Sequence, residues 1–138
     1  MSTPPVIDQL SDVCDLVRAF VSERDWDQFH TPKNLAIALS VEAAELLEPF
    51  QWLKSGNIDE LSNEKRTEIR HEIADVFVYL IMLADKMNVD LIDAAKEKIA
   101  LNSLKYPAER VRGDARKSSE YTEPIMKCSQ TEAVLIPS

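Results

Sequence analysis

Two matched acidic pairs, Glu42-x-x-Glu45 and Glu72-x-x-Asp75, lie in two segments that are otherwise apolar. Residues three apart project from one face of an α-helix, so each pair presents two carboxylates side by side. Leu35, Ile37, Leu39, Val41, Leu46 and Leu47 surround the first pair, and Ile69, Ile73, Val76, Phe77, Leu80 and Ile81 the second. This pattern calls for two helices whose faces turn toward each other inside a bundle. Four carboxylates brought together in that way repel one another, and without a cation they would be strained or partly protonated. A hard divalent ion such as Mg²⁺, with Mn²⁺ as a substitute, takes oxygen ligands, keeps several waters and completes its shell with substrate phosphates. The pairs therefore point to a metal and phosphate site. One E-x-x-E alone would suit any solvated helix face. Here Glu42 and Glu45 sit among Ala and Leu, and residues 76–84 after the second pair are almost free of charge. Glu48 and Glu68 extend the two acidic faces by another turn.

Only two glycines occur in 138 residues, of which 45% are hydrophobic. That composition favours an all-α chain with short connections over a β-sandwich or a Gly-rich nucleotide loop. A net charge of −8 argues against a nucleic acid polymer as partner, because such binding depends on clustered Lys and Arg. Cys14 and Cys128 are far apart and suggest neither a zinc site nor a disulfide framework. No apolar run approaches the roughly 18 residues needed to span a bilayer, so no membrane partner is expected and the expected location is cytoplasmic. The expected organisation is one domain over residues 1–113 and a flexible C-terminal tail over 114–138.

Four helices are expected. The first covers residues 7–23, with Ile7, Leu10, Val13, Cys14, Val17, Phe20 and Val21 at spacings of three and four. Thr31 and Pro32 supply an N-cap and a first-turn proline for the second, which runs to Glu48 before Pro49 kinks or breaks it. A third covers residues 64–87, with Asn88 as a left-handed cap. The fourth starts behind Asp90 and ends at Tyr106-Pro107.

Other residues can carry chemistry around the acids. Trp26 and Trp52 flank the first acidic pair in sequence, either as core aromatics or as stacking platforms for a nucleobase. His30 can hydrogen-bond its loop or contact a ligand. Lys33 and Asn34, in the first turn of helix two, are either solvated or polar contacts to base or phosphate. Lys98, Asn102 and Lys105 form an i, i+4, i+7 stripe that is either a wet face or a source of positive charge for a triphosphate. Arg110 and Arg112 can assist from the following loop.

The whole pattern resembles the all-α MazG-like nucleoside triphosphate pyrophosphatases. Arg24-Asp25-Trp26-Asp27-Gln28-Phe29-His30-Thr31-Pro32-Lys33-Asn34-Leu35, Phe50-Gln51-Trp52, Asn102-x-x-Lys105-Tyr106-Pro107 and Arg112-Gly113 are similar to the dCTP pyrophosphatase branch of that family, over about residues 7–117. Val17 stands where the branch can carry a stacking aromatic. The resemblance implies a four-helix MazG-like bundle in which Glu42, Glu45, Glu72 and Asp75 hold Mg²⁺. It further implies that water attacks the triphosphate to leave a nucleoside monophosphate and pyrophosphate, with dCTP or a modified cytosine nucleotide favoured. Trp26 and Trp52 would contact the base, Tyr79 border the pocket, and Asn102 and Lys105 reach phosphate. His30, Lys33, Asn34, Lys98 and Tyr106 complete the expected substrate contacts. Glu45 is the expected general base. The resemblance also implies a homodimer or homotetramer with sites near subunit contacts.

A ferritin-like di-iron protein also uses acids on bundle helices, but it needs a Glu-x-x-His motif from each of two helices, and this sequence has a single one, Glu68-x-x-His71. A competing reading of another class is a non-catalytic helical oligomerisation or interaction module, with solvated acids and apolar stripes that serve assembly.

Overall fold

The computed structural model describes residues 9–120, and the regular structure among them is helical throughout. It contains α1 (Gln9–Glu23), α2 (Pro32–Leu47), α3 (Asn63–Lys86), α4 (Leu91–Lys105) and α5 (Ala108–Val111), with single 3-10 turns at Asp27–Phe29, Glu48–Phe50, Ile58–Glu60 and Ser118–Glu120. The expected start of the first helix at Ile7 and most of the expected tail, residues 121–138, lie outside the described residues. Among the described residues there are five α-helices, not the expected four. The extra one follows from the two effects of Pro107. Its ring cannot continue α4, yet its φ of −57° already suits the start of a new turn.

Local signals set the ends of the long helices. The Thr31 hydroxyl accepts the Asn34 N–H at 3.2 Å, and Ser62 does the same for Lys65 N–H at the start of α3. Pro49 has no N–H to continue the ladder, so α2 tightens into the turn Glu48–Phe50. Two helices close with left-handed residues that are not glycine. After α3, Asn88 (φ +52°) donates to Asp85 and Val89 donates to Ala84. After α1, Asp25 (φ +52°) donates to Ser22 and Trp26 to Val21. Both are Schellman motifs, which satisfy the last carbonyls and turn the chain sharply. The second one fixes where Trp26 leaves α1.

The chain divides between Leu91 and Ile92 into two compact units. In the first, α2 and α3 run antiparallel, because Leu35 meets Ile81 at one end and Glu42 meets Glu72 at the other. α1 packs on the same end of α3. Val17, Val21, Leu35, Ile81 and Met82 form the buried cluster, flanked by Leu10, Val13, Cys14, Val78, Tyr79, Leu83 and Leu91. The apolar residues that surround the acidic pairs in sequence divide into three sets. Leu39, Leu46 and Val76 are half-buried. Leu35, Ile69 and Ile81 are buried, while Ile37, Val41, Leu47, Ile73, Phe77 and Leu80 remain exposed. Three helices of this length cannot cover every apolar side of α2 and α3. The second unit holds α4, α5 and the turn Ser118–Glu120. No described helix is long and apolar enough to cross a membrane.

Leu35 is 1% exposed at the centre of the buried cluster. Leu35→Ala is expected to cost about 3 kcal/mol of unfolding free energy and Ser62→Ala about 1 kcal/mol, as measured by urea denaturation.

Candidate functional site

Leu35 and Glu42 are separated by two turns of α2, so Glu42 lies on the face that buries Leu35, roughly 10 Å further along. Across from it, α3 presents Glu72. Carboxylate oxygens of Glu42, Glu45 and Glu72 lie within 4.8 Å of one another. Glu42 and Glu72 are half-buried, whereas Glu45 and Asp75 are exposed. Asp75 is outside the closest trio, but its charge acts on both half-buried acids.

Burial is the main reason that the Glu42 carboxyl is pushed above the usual range. The charges of Glu45, Asp75 and Glu72 add to this, as does a hydrogen bond with Glu45. Glu72 is pushed up in the same way, by burial first and then by Glu45, Asp75, Glu68 and Glu48. The Glu72 Oε2 is buried and has no hydrogen-bond partner. A buried carboxylate oxygen without a donor is costly. A hard divalent cation bound by oxygen would satisfy it and reverse the repulsion. The donor set, oxygen only and carboxylate only, fits such an ion.

The remaining candidate residues lie in different settings. Trp26 is 42% exposed and meets Phe20 edge-on at 5.7 Å and His30 at 6.3 Å between ring centroids. Trp52 is on the loop after α2 and is 88% exposed. Tyr79, one turn beyond Asp75, is half-buried against the core cluster. Lys33 is exposed. The Asn34 amide donates to the Phe29 carbonyl at 3.0 Å and so closes the loop before α2. Lys98, Asn102 and Lys105 belong to the second unit and are exposed along α4. The Lys105 ammonium lies 5.5 Å from the centre of the Tyr106 ring. Hydrogen bonds from Ser118 draw the Tyr106 phenol below its usual range.

One feature was not legible in the sequence. A cleft of about 340 Å³ opens beside His30, with Val17, Val21, Leu35, Ile81 and Met82 in its apolar wall. Two ion pairs edge it, Arg18 Nη2 to Asp85 Oδ1 at 2.7 Å and Lys86 Nζ to Asp27 Oδ1 at 2.7 Å. Hydrogen bonding to Arg18 holds the Asp85 carboxyl below the usual range. These partners are 67 and 59 residues apart, so no sequence spacing could pair them.

Comparisons with known proteins agree on one family. The profile of the MazG-like family matches residues 37–121, the stretch that holds both acidic pairs. The chain is 41% identical over 128 residues to dCTP pyrophosphatase 1 of Homo sapiens, covering 91% of this chain and 74% of that protein. It is 39% identical to dCTP pyrophosphatase 1 of Rattus norvegicus over the same shares. A crystal structure of a pyrophosphatase from Archaeoglobus fulgidus DSM 4304 matches with a TM-score of 0.69 and 39% identity, covering 77% of this chain and 99% of that one.

The raised carboxyls set the sign of a pH effect. The folded chain keeps protons on Glu42 and Glu72 that the unfolded chain releases. These groups therefore cost stability above their raised pKa values, and the cost disappears as pH falls below the ordinary carboxylate value. In EDTA, the destabilisation from these two groups is expected to shrink as pH falls from 7 toward 5, so they raise the melting temperature over that interval. Glu72→Gln should raise melting at pH 7, flatten the pH dependence, and lose most of the stabilisation that added Mg²⁺ gives. Calorimetry of both proteins between pH 5 and 8 checks each part.

Proposed function

This chain belongs to the MazG-like family, and from that premise we propose that it hydrolyses a nucleoside triphosphate to the monophosphate and pyrophosphate, with dCTP or a modified cytosine nucleotide as substrate. The observation that carries this reading is the close trio of half-buried Glu42, exposed Glu45 and half-buried Glu72, with its unpartnered Glu72 oxygen. The names of the relatives support the choice of cytosine.

Glu42, Glu45, Glu72 and Asp75 hold Mg²⁺ in this reading, with Mn²⁺ as a substitute. When bound, the ion neutralises phosphate oxygens and lowers the pKa of a water. Glu45 is exposed beside the two half-buried acids, so it can receive a proton from the attacking water and pass it to solvent. Trp26 and Trp52 bind the base, with Tyr79 at the border of the pocket. The cleft beside His30 lies about 10 Å along α2 from Glu42, which suits an extended nucleotide with its phosphates at the acids. In this reading Val17, small and buried, leaves room there. Lys33, Asn34 and Tyr106 contribute polar contacts, and Lys98, Asn102 and Lys105 stabilise charge that develops on the leaving pyrophosphate.

The uncovered residues of α2 and α3 support assembly into a homodimer or homotetramer. Ile37 and Val41 on α2, and Ile73, Phe77 and Leu80 on α3, form contiguous apolar stripes that a single chain leaves exposed. Light scattering should give a multiple of 15.6 kDa; a stable monomer at micromolar concentration would contradict this part.

Glu45→Ala and Asp75→Ala are each expected to lower Mg²⁺-dependent pyrophosphate release from dCTP by roughly 10²-fold or more while the circular dichroism spectrum stays helical. Full turnover by either variant would remove it from the site. A screen of the other triphosphates, run with the wild-type chain, tests the base assignment.

A further inference from the structure

Trp52 is 88% exposed, so packing does not hold its indole in place. Its direction must come from the backbone on either side. Upstream, Gln51 N–H donates to Glu48 at 3.3 Å and Leu53 N–H to Phe50 at 3.0 Å, which ties Trp52 to the end of α2. Downstream, one side chain gathers the loop. The Glu60 carboxylate accepts the Gly56 N–H at 3.0 Å, the Ser55 N–H at 3.3 Å and the Ser55 hydroxyl at 3.1 Å. The same hydroxyl accepts the Asn57 N–H at 3.4 Å.

This turn is built tightly. Gly56 has a φ of +74°, and a Cβ there would meet the Phe50 ring at 2.7 Å, so only glycine lets the loop fold back on Phe50. The Ile58–Glu60 turn is in turn fixed to α3, because Arg66 Nη2 donates to the Ile58 carbonyl at 2.9 Å. The N–H donors of Gly56 and Ser55 also hold the Glu60 carboxyl below its usual range, so the clamp stays charged around neutral pH. A continuous set of contacts thus runs from α3 through Arg66, Ile58 and Glu60 to the loop that carries Trp52.

We propose that Glu60 is a positioning residue for nucleotide binding: its carboxylate clamps the backbone at Ser55 and Gly56 and so presents the Trp52 indole to the base in one orientation. This rests on the reading of Trp52 as a base contact. Glu60 touches neither the acids nor the phosphates in that scheme, and its effect passes through Trp52 alone. Restricting an exposed aromatic before the ligand arrives lowers the ordering cost of binding.

The test is a double-mutant cycle with a spectroscopic readout. Glu60→Gln replaces one acceptor oxygen by a donor that faces the loop N–H groups. In a Trp26→Phe background, the fluorescence anisotropy decay of Trp52 is expected to show a larger fast component in Glu60→Gln. In the otherwise native chain, Trp52→Ala is expected to raise KM for dCTP by about 10-fold. Glu60→Gln should raise it by about threefold, with the effect on KM rather than kcat, and should add nothing in the Trp52→Ala background. An unchanged anisotropy decay, or a Glu60→Gln effect that persists in full without Trp52, would overturn the positioning role. If Trp52→Ala leaves KM unchanged, the base contact itself falls and the role with it. The anisotropy still reports separately whether the clamp holds the loop.

Discussion

Repulsion among partly desolvated carboxylates is the constraint around which this chain is organised. Glu42 and Glu72 are half-buried and face each other across α2 and α3, and each is raised first by burial and then by acidic neighbours. Such an arrangement opposes folding unless well-packed structure elsewhere holds the two helices together. That structure is placed about two turns away. Val17, Val21, Leu35, Ile81 and Met82 close one end of the α2 and α3 pair, while the acids occupy the other. Separating the stable end from the strained end lets the chain keep a charge-dense centre without spreading its cost through the core.

A second theme is that the aromatics are aimed by backbone more than by packing. Trp26 leaves α1 at a Schellman motif in which Asp25 takes the left-handed position, so hydrogen bonds to Ser22 and Val21 set its direction before any side chain touches it. Trp52 follows the turn that Pro49 forces at the end of α2, and the Glu60 clamp holds the strand of loop behind it. In both places the local chemistry of helix ends connects the rigid helices to exposed rings. This arrangement suits residues that meet a ligand, because their faces stay uncovered while their positions stay restricted.

The exposed stripes on α2 and α3 have the same origin as the buried cluster. Both helices are apolar on more than one side, and α1 together with the α2 and α3 contact covers only part of that surface. Ile69 and Ile81 are buried, whereas Ile73, Phe77 and Leu80 on the same helix are not. The hydrophobic effect acts on area regardless of which chain covers it. The periodicity of these residues therefore marked them as apolar faces correctly, but it contained nothing about whether this chain or another would cover them.

Much of the fold was legible because helix signals are local. Thr31-Pro32, Pro49, Asn88 and Pro107 mark helix ends through their own φ preferences or missing donors, and each does so in the structure. The fifth helix was missed because one proline both ends a helix and begins another. The acidic pairs were legible for the same local reason, since i, i+3 spacing sets a shared face on any helix. The distances among Glu42, Glu45 and Glu72, the unpartnered Glu72 oxygen, the cleft edged by Arg18–Asp85 and Asp27–Lys86, and the clamp of Glu60 on the Trp52 loop were not legible. Sequence by itself determined which residues are helical, which share a face and which carry charge, because backbone geometry propagates over a few residues. Tertiary structure alone decided which charges meet and which apolar faces are covered. Those outcomes depend on contacts between residues far apart in the chain, such as the 67 residues between Arg18 and Asp85, and no local spacing encodes them.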